Sequence, residues 1–491
     1  MSVVTGDVIK TIFKNTGFVM LGNTLLKVMN FLFSLLVIRR LGDDRFGQYS
    51  IVISFVTLFQ IFAELGMSQY VMREIARDRT KTKVLFWNLV VVRFLLGIAG
   101  TVAITSFAVA FKYSQELVIG VLVYSCSFLL AAFQSPIQIV LTANERFDLV
   151  SLMNIVGQVV FILFGSIFLF SGLGFIWLIS ANIINLFVQT ILGVGLMHRF
   201  NLVQRPNEIT PRYWPQLIKS GLPFGVITFS LSIAFNIDTV ILSKYVPNAE
   251  VGWYNVAYNL IFSIMFVSGS FKEAMTPTLS KTYVDHPEEV TKWFFRMVKI
   301  ITSISLPIAV GGMILAEPVI RFLYSEEYLP AARAFQLIIW DVPFLMFASF
   351  GGNISAVVKE ERVGARVYLV AAVANIIMNL FIIPRYGYLG AAVTTVLTDF
   401  IAAAQFYFFY RSRLKLPNLM PIWMKIIPAT LGMGLLISLF GNLHPLILLV
   451  LGASTYGILT WMLGLYDETE KRLVLRVIHK FFSFGSSKEV S

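Results

Sequence analysis

The amino-acid sequence predicts an all-α integral membrane protein, and three observations lead there. The 491-residue chain is 57% hydrophobic and 13% charged, where soluble domains carry about 25% charged residues. Its apolar residues gather into runs of roughly twenty, the length a helix needs to cross a bilayer. Lys and Arg collect in alternate short loops between those runs, the pattern that marks the inner side of a membrane protein. The net charge of +12 is therefore a topology signal, and no nucleic-acid partner is expected.

Taken in order, the apolar runs number fourteen. The first, 15–38, ends in "VIRRLG" without a small-residue cleavage site, so it is expected to stay as a helix rather than act as a signal peptide. Runs at 46–67, 85–111, 117–142, 148–171 and 173–197 follow, and together these six make an N-terminal half, 1–200. A polar inter-half loop, 201–218, leads to 219–243, 251–272, 293–316, 331–355, 363–384 and 388–410, the C-terminal half, 219–415. Two appended runs, 421–441 and 444–464, fill 416–464. Pro136, Pro223, Pro307 and Pro343 fall inside or at the ends of runs, where they can kink a helix or sit passively. The cluster "REIARDRTKTK" at 73–83 is expected in an inner loop. Past Gly464, Asp467 and Glu470 have capping-box spacing, and Leu473, Val474, Val477 and Phe481 alternate with cations at helical intervals. The tail 465–491 is therefore expected as an amphipathic helix on the inner surface. With this pattern both termini lie on the cytoplasmic side of the cytoplasmic membrane.

The halves repeat. "RRLGDDRFGQY" (39–49) aligns with "KYVPNAEVGWY" (244–254), setting Gly47 on Gly252 and Tyr49 on Tyr254. "ANERF…SGLG" (143–174) likewise aligns with "KEERV…GYLG" (359–390). Six spans is an even number, so the halves share an orientation and a pseudo-two-fold axis along the membrane normal is expected, with a substrate cavity between them.

Lys27 is the first candidate site residue. A lysine at the centre of a bilayer costs roughly 2.5–3.5 kcal/mol and tends to face a wet cavity or a bundle interior. Asn23, Lys27, Asn30 and Ser34 recur at helical spacing and form one polar stripe. The second run carries a matching stripe, Ser50, Ser54, Thr57, Gln60 and Glu64. Polar glue between helices is the alternative use of such residues. Arg93 stands in the third run, close enough to the inner edge to snorkel; with Lys27, Asn23, Asn30 and Glu64 it completes the candidate substrate-binding set. Asp238, Asp341 and Asp399 are further charges within runs. Asp238 lies off the polar stripe of its own helix, so its partner is expected on a neighbouring one, and Asp399 sits beside Thr395 and Thr398. Asp238 and Asp399 are candidates for coupling to a cation or proton, or for a structural role. Asn154, Asn182, Asn185, Asn255, Asn259, Asn375 and Asn379 suit either sugar hydroxyls or interhelical packing.

Catalytic signals are missing from the sequence: no phosphate loop, no H-E-x-x-H and no G-x-S-x-G elbow. The scattered histidines and the single Cys126 offer no metal-ligand spacing, so no metal, no cofactor and no enzyme activity are expected.

Several stretches carry a family resemblance when taken together. "RRLGDDRFGQYSI", "ELGMSQYVMREIAR", "TANERF", "NIDTVILSKYVPNAEVGWYNVAYNL" and "IPRYGYLGAAVTT" resemble the polysaccharide-biosynthesis (Wzx-like) oligosaccharide flippases of the multidrug/oligosaccharidyl-lipid/polysaccharide exporter superfamily. The resemblance implies an alternating-access transporter that moves polyprenyl-diphosphate-linked oligosaccharides, with membrane lipids and glycan-assembly proteins as partners. Related lipid II flippases have an arginine early in the first helix, in a pattern that "LLKVMNF" resembles, and Lys27 takes that place; the Arg-Asp pair that follows there is replaced by Phe33 and Ser34. A diphosphate needs a countercharge, and Lys27 with Asn23 and Asn30 is expected to supply it. Two alternatives stand beside this one: a multidrug/cation antiporter of the multidrug and toxin extrusion type, which would rely on acidic residues in its cavity, and a membrane glycosyltransferase or polymerase, which would normally expose a large catalytic loop.

Overall fold

A computed structural model describes residues 6–202, 209–285, 289–413, 418–468 and 470–472. Eighteen α-helices connected by short turns account for nearly all of them. They are α1 (Gly6–Leu41), α2 (Asp43–Phe59), α3 (Ile61–Glu64), α4 (Met67–Arg77), α5 (Thr82–Ala110), α6 (Gln115–Ser125), α7 (Ser127–Ala143), α8 (Phe147–Phe170) and α9 (Phe175–Arg199). The chain continues through α10 (Trp214–Tyr245), α11 (Asn248–Asp285), α12 (Glu289–Ile314), α13 (Ala316–Leu323), α14 (Ala331–Ile338), α15 (Asp341–Val357), α16 (Glu361–Arg413), α17 (Met420–Leu439) and α18 (Pro445–Met462). Among the described residues, nine helices are long and apolar enough to cross a membrane, or eleven if each of two bent pairs counts as one span.

Every expected apolar run lies on helix, but several are interrupted: 219–243 bends by 50° between Val226 and Thr228 within α10, and 293–316 passes from α12 to α13 at Leu315. The run 46–67 splits into α2 and α3, and the chain then turns through Leu65 (φ 48°) and Gly66 (φ 70°). The run 117–142 breaks at Cys126 into α6 and α7, and 331–355 bends by 46° between α14 and α15. The expected runs 363–384 and 388–410 are fused into the 53 residues of α16. At 1.5 Å per residue that would be about 80 Å, far beyond a hydrocarbon core of about 30 Å. Gly387, at φ 56° and ψ −139°, divides it, a backbone geometry open to glycine because it has no Cβ.

The expected inner loop around 68–84 is instead helical over most of its length. In α4, Met67, Val71 and Ile75 repeat every four residues and are all fully buried, while Arg73 and Arg77 take the other faces. That periodic burial against α7 and α10 fixes a helix where charge alone suggested a loop. Residues 473–491 of the expected amphipathic tail lie outside the described residues. The capping box before them is formed: Glu470 N–H donates to Asp467 Oδ1 (2.8 Å) and Asp467 N–H to Glu470 Oε2 (2.9 Å).

Packing follows the apolar surfaces. Residues such as Phe381, Phe408, Leu435 and Met462 face outward, as lipid solvent permits, while Tyr254, Phe294, Tyr328 and Tyr410 are fully buried. α8 lies along α1 and α9; α16 lies along α15 and α10; α17 pairs with α18 and rests on α12. At the centre, α2 packs on α11 and α10. The N-terminal ends of α2 and α11 cross backbone to backbone at the two glycines that align in the sequence repeat. A methyl group on Gly47 would lie 1.8 Å from the Asn248 carbonyl oxygen, and one on Gly252 2.4 Å from that of Asp43. Only residues without a side chain allow this approach. Trp253 seals the crossing by donating its indole N–H to Asp43 Oδ2 and to the Glu327 carbonyl, both at 3.1 Å. At the other end of α10, the Leu65–Gly66 turn rests directly on Gly221 and Gly225.

Candidate functional site

Between these two contacts lies a cavity of about 460 Å³, walled by α1, α2, α8, α10 and α11. α1 contributes Asn30 and Ser34, α2 contributes Tyr49, Ser50 and Ser54, α10 contributes Asn236, and α11 contributes Asn255, Tyr258 and Asn259. Phe33, Phe161, Phe235 and Phe262 supply apolar faces. A second space of about 600 Å³ adjoins it and is bordered by Lys27, Phe31, Ser263 and Met265. The two share Asn30, Ser34, Asn259 and Phe262, so Lys27 stands at the entrance to the amide-lined chamber.

The helical spacing explains the placement. Lys27, Asn30 and Ser34 differ by three and four residues and so occupy one face of α1. The structure puts that face on the cavity. Ser34 is held by donating Oγ to the Phe31 carbonyl at 2.7 Å, with Asn259 Oδ1 at 3.4 Å. Ser50 and Ser54 of the second expected stripe reach the same cavity. The side chain of Asn23 lies outside the described residues.

Glu64 and Arg93 go elsewhere. Arg93 does not snorkel to the membrane edge: its side chain is 6% exposed and donates to Ser68 Oγ (2.6 Å) and Ser135 Oγ (2.9 Å). Glu64 Oε1 lies 3.8 Å from it. The pair joins α3, α4, α5 and α7 beside the Leu65–Gly66 turn. Neither residue is in the described wall of the cavity.

Asp238 has the neighbouring-helix partners expected of it. Its carboxylate accepts from Tyr254 Oη of α11 (2.8 Å), from Thr395 Oγ1 of α16 (2.8 Å) and from Asn379 Nδ2. Asn379 in turn donates to Asn375 Oδ1 at 3.0 Å and accepts from Thr394. Every member is buried, and the network ties α10, α11 and α16 together. Thr395 and Thr398 serve Asp238 and Asn375 rather than Asp399, whose neighbour is the buried carboxyl of Asp341 on α15.

The asparagines that the sequence leaves undivided sort cleanly in space. Asn255 and Asn259 line the cavity. Asn375 and Asn379 belong to the Asp238 network, Asn154 accepts from Gln138 at 2.8 Å, and Asn182 and Asn185 lie in a chain with Gln189. Asn236, a cavity residue, appears in the sequence only as a member of the α10 stripe with Ser232, Thr239 and Ser243; that stripe was the available signal. Tyr258 had no polar periodicity to mark it.

A family model described as polysaccharide biosynthesis protein matches residues 36–333, more than half of the chain and the segment that holds both α2 and α11. The chain belongs to this family. An uncharacterized membrane protein of Methanocaldococcus jannaschii is 23% identical over 395 residues, covering 72% of this chain and 75% of that protein. A Shigella flexneri protein named "Putative O-antigen transporter" is 20% identical over 379 residues, covering 72% and 87%. The solved structure of lipid II flippase MurJ in an inward closed conformation has the same fold, with a TM-score of 0.77 at 17% identity over 90% of this chain and 98% of that one. An inward-facing multidrug resistance MATE family transporter superposes with a TM-score of 0.65 at 16% identity over 79% and 94%. The family member described here is a multi-pass membrane protein.

Proposed function

We propose that this member of the polysaccharide biosynthesis family is an alternating-access flippase that moves polyprenyl-diphosphate-linked oligosaccharides across the cytoplasmic membrane. The observation that carries this is the charge pattern of the cavity. Among the described residues that wall the two connected spaces, Lys27 is the charged one, and the rest are amides, hydroxyls and apolar side chains. A diphosphate at the entrance meets a cation there, with Asn30 beside it, while a glycan enters the amide-lined chamber and the polyprenyl tail stays in lipid. The name of the O-antigen transporter relative supports the same substrate class.

A cation antiporter needs carboxylates facing its substrate. Asp238 and Asp399 instead stand outside the described cavity wall, in the packing of α10, α15 and α16, where we assign them a coupling or structural role. The accompanying organisation is fourteen spans, with halves at 1–200 and 219–415, an inter-half loop at 201–218, appended helices at 416–464 and an inner-surface tail at 465–491. Both termini are then cytoplasmic, and the Gly47–Gly252 crossing closes the outer side while the Gly66 contact closes the inner. Glycan-assembly proteins are the expected protein partners.

The role of Lys27 is tested by binding of a sugar-free polyprenyl diphosphate to purified protein. A hydrogen bond to a charged group contributes about 1.5–3 kcal/mol, so Lys27→Gln should weaken binding roughly ten- to hundredfold, with Lys27→Arg retaining much of it. Parent-like affinity in both Lys27→Gln and Lys27→Met removes Lys27 from the substrate path.

A further inference from the structure

The chamber beyond Lys27 differs from its entrance in one respect that bears on which sugars it takes. Among the described residues its wall holds no lysine, arginine, histidine or carboxylate. Its polar surface comes from Asn30, Asn236, Asn255 and Asn259 and from serine and tyrosine hydroxyls, groups that both donate and accept and so match sugar hydroxyls and acetamido groups. Phe33 and Phe161, edge to face at 5.1 Å, and Tyr258 and Phe262, edge to face at 4.8 Å, give flat apolar surfaces for the C–H faces of sugar rings.

Resting on the flippase reading above, we propose that this chamber selects uncharged glycans and discriminates against sugars that carry a carboxylate. Lys27 borders the adjoining space and is absent from the described wall of the chamber itself; Ser34, seven residues on, lies about 10 Å further along the helix. When a diphosphate occupies the entrance, Lys27 is already matched by a group of greater negative charge, and among the described residues that wall the two spaces no second cation stands ready for another anion. The charged groups felt at Tyr258 of the chamber wall are Asp238, Asp341 and Asp399, acids that cannot offer a positive partner. A uronate carboxylate would therefore leave water for a site of amides and rings without a cation, which is the costly way to bury a charge. A hydroxymethyl group in the same place carries no charge to desolvate, and its hydroxyl exchanges water for the amides and hydroxyls of the wall.

The experiment uses the full-length protein in proteoliposomes and three substrates on one polyprenyl diphosphate carrier: a disaccharide ending in glucose, the same disaccharide oxidised to glucuronate at C6, and its methyl ester. The glucose form should be translocated about tenfold faster or more than the acid, the scale expected for an unpaired buried charge, and the ester should return to the rate of the glucose form. Asn236→Lys, which places a cation in the chamber, should raise the acid's rate relative to glucose. Equal rates for glucose and glucuronate overturn the proposal while leaving the flippase reading standing, and an ester as slow as the acid overturns it in favour of exclusion by size. If none of the three is moved by the protein, both the flippase reading and this selectivity fall together.

Discussion

Lys27 and Arg93 are both basic residues inside apolar stretches, yet their surroundings demand different things of them. Lys27 is exposed on the cavity face of α1, on the border of the space next to the amide-lined chamber. Arg93 is buried and held by two serine hydroxyls, with Glu64 at 3.8 Å. That distance is beyond a hydrogen bond, so Glu64 acts through its charge. Glu64→Gln keeps the shape and leaves the guanidinium buried without a counterion. It should lower stability in detergent by about 1–3 kcal/mol, and the double variant Glu64→Gln with Arg93→Met should recover part of the loss because the unpaired charge is gone. A thermal-unfolding midpoint for Glu64→Gln that matches the parent would show the pair to be without effect. At this scale the sequence is readable where a charge belongs to a periodic polar stripe, as with Lys27, Asn30 and Ser34. It is opaque for Arg93, because the serines that hold it lie 25 and 42 residues away and come together only after folding.

At the scale of elements, hydropathy locates helices but not the breaks within them. The turn at Leu65 and Gly66 and the bend after Ile338 fall inside continuous apolar runs, where the composition on either side is the same. The capping box at Asp467 and Glu470 was readable because its two hydrogen bonds are local. The crossing of α2 and α11 was half readable: the repeat marks Gly47 and Gly252 as equivalent positions, while their contact is a tertiary fact. Placing a methyl group at Gly252 forces the Asp43 carbonyl away, and such overpacking costs about 1–3 kcal/mol. Gly252→Ala should therefore loosen this closure. On a Cys126→Ser background, a cysteine placed at Ser50 in the cavity wall should react several-fold faster with a water-soluble thiol reagent when Gly252→Ala is added, since less free energy then holds the contact shut. Unchanged labelling would mean that the crossing does not gate the cavity.

For the whole molecule, class and membrane character follow from composition, because a lipid solvent requires apolar exteriors and internally satisfied backbones. The purpose of the interior does not follow from composition. It depends on which polar residues share a space, and two helix pairs far apart in sequence, α1–α2 and α10–α11, meet with α8 to build that space. Their meeting separates Asn255 and Asn259, which face the cavity, from Asn375 and Asn379, which hold Asp238. The same geometry separates a chamber fit for an anionic lipid carrier with a polar head from one fit for a cation, since the carboxylates are turned into the packing of α10, α15 and α16. The most direct measurement is translocation by the purified protein in liposomes, comparing a labelled polyprenyl-diphosphate oligosaccharide with a labelled organic cation. We predict protein-dependent movement of the glycolipid that is lost in Lys27→Gln at normal protein levels, with no movement of the cation. Glycolipid movement no faster than in protein-free liposomes, together with uptake of the cation, would contradict it.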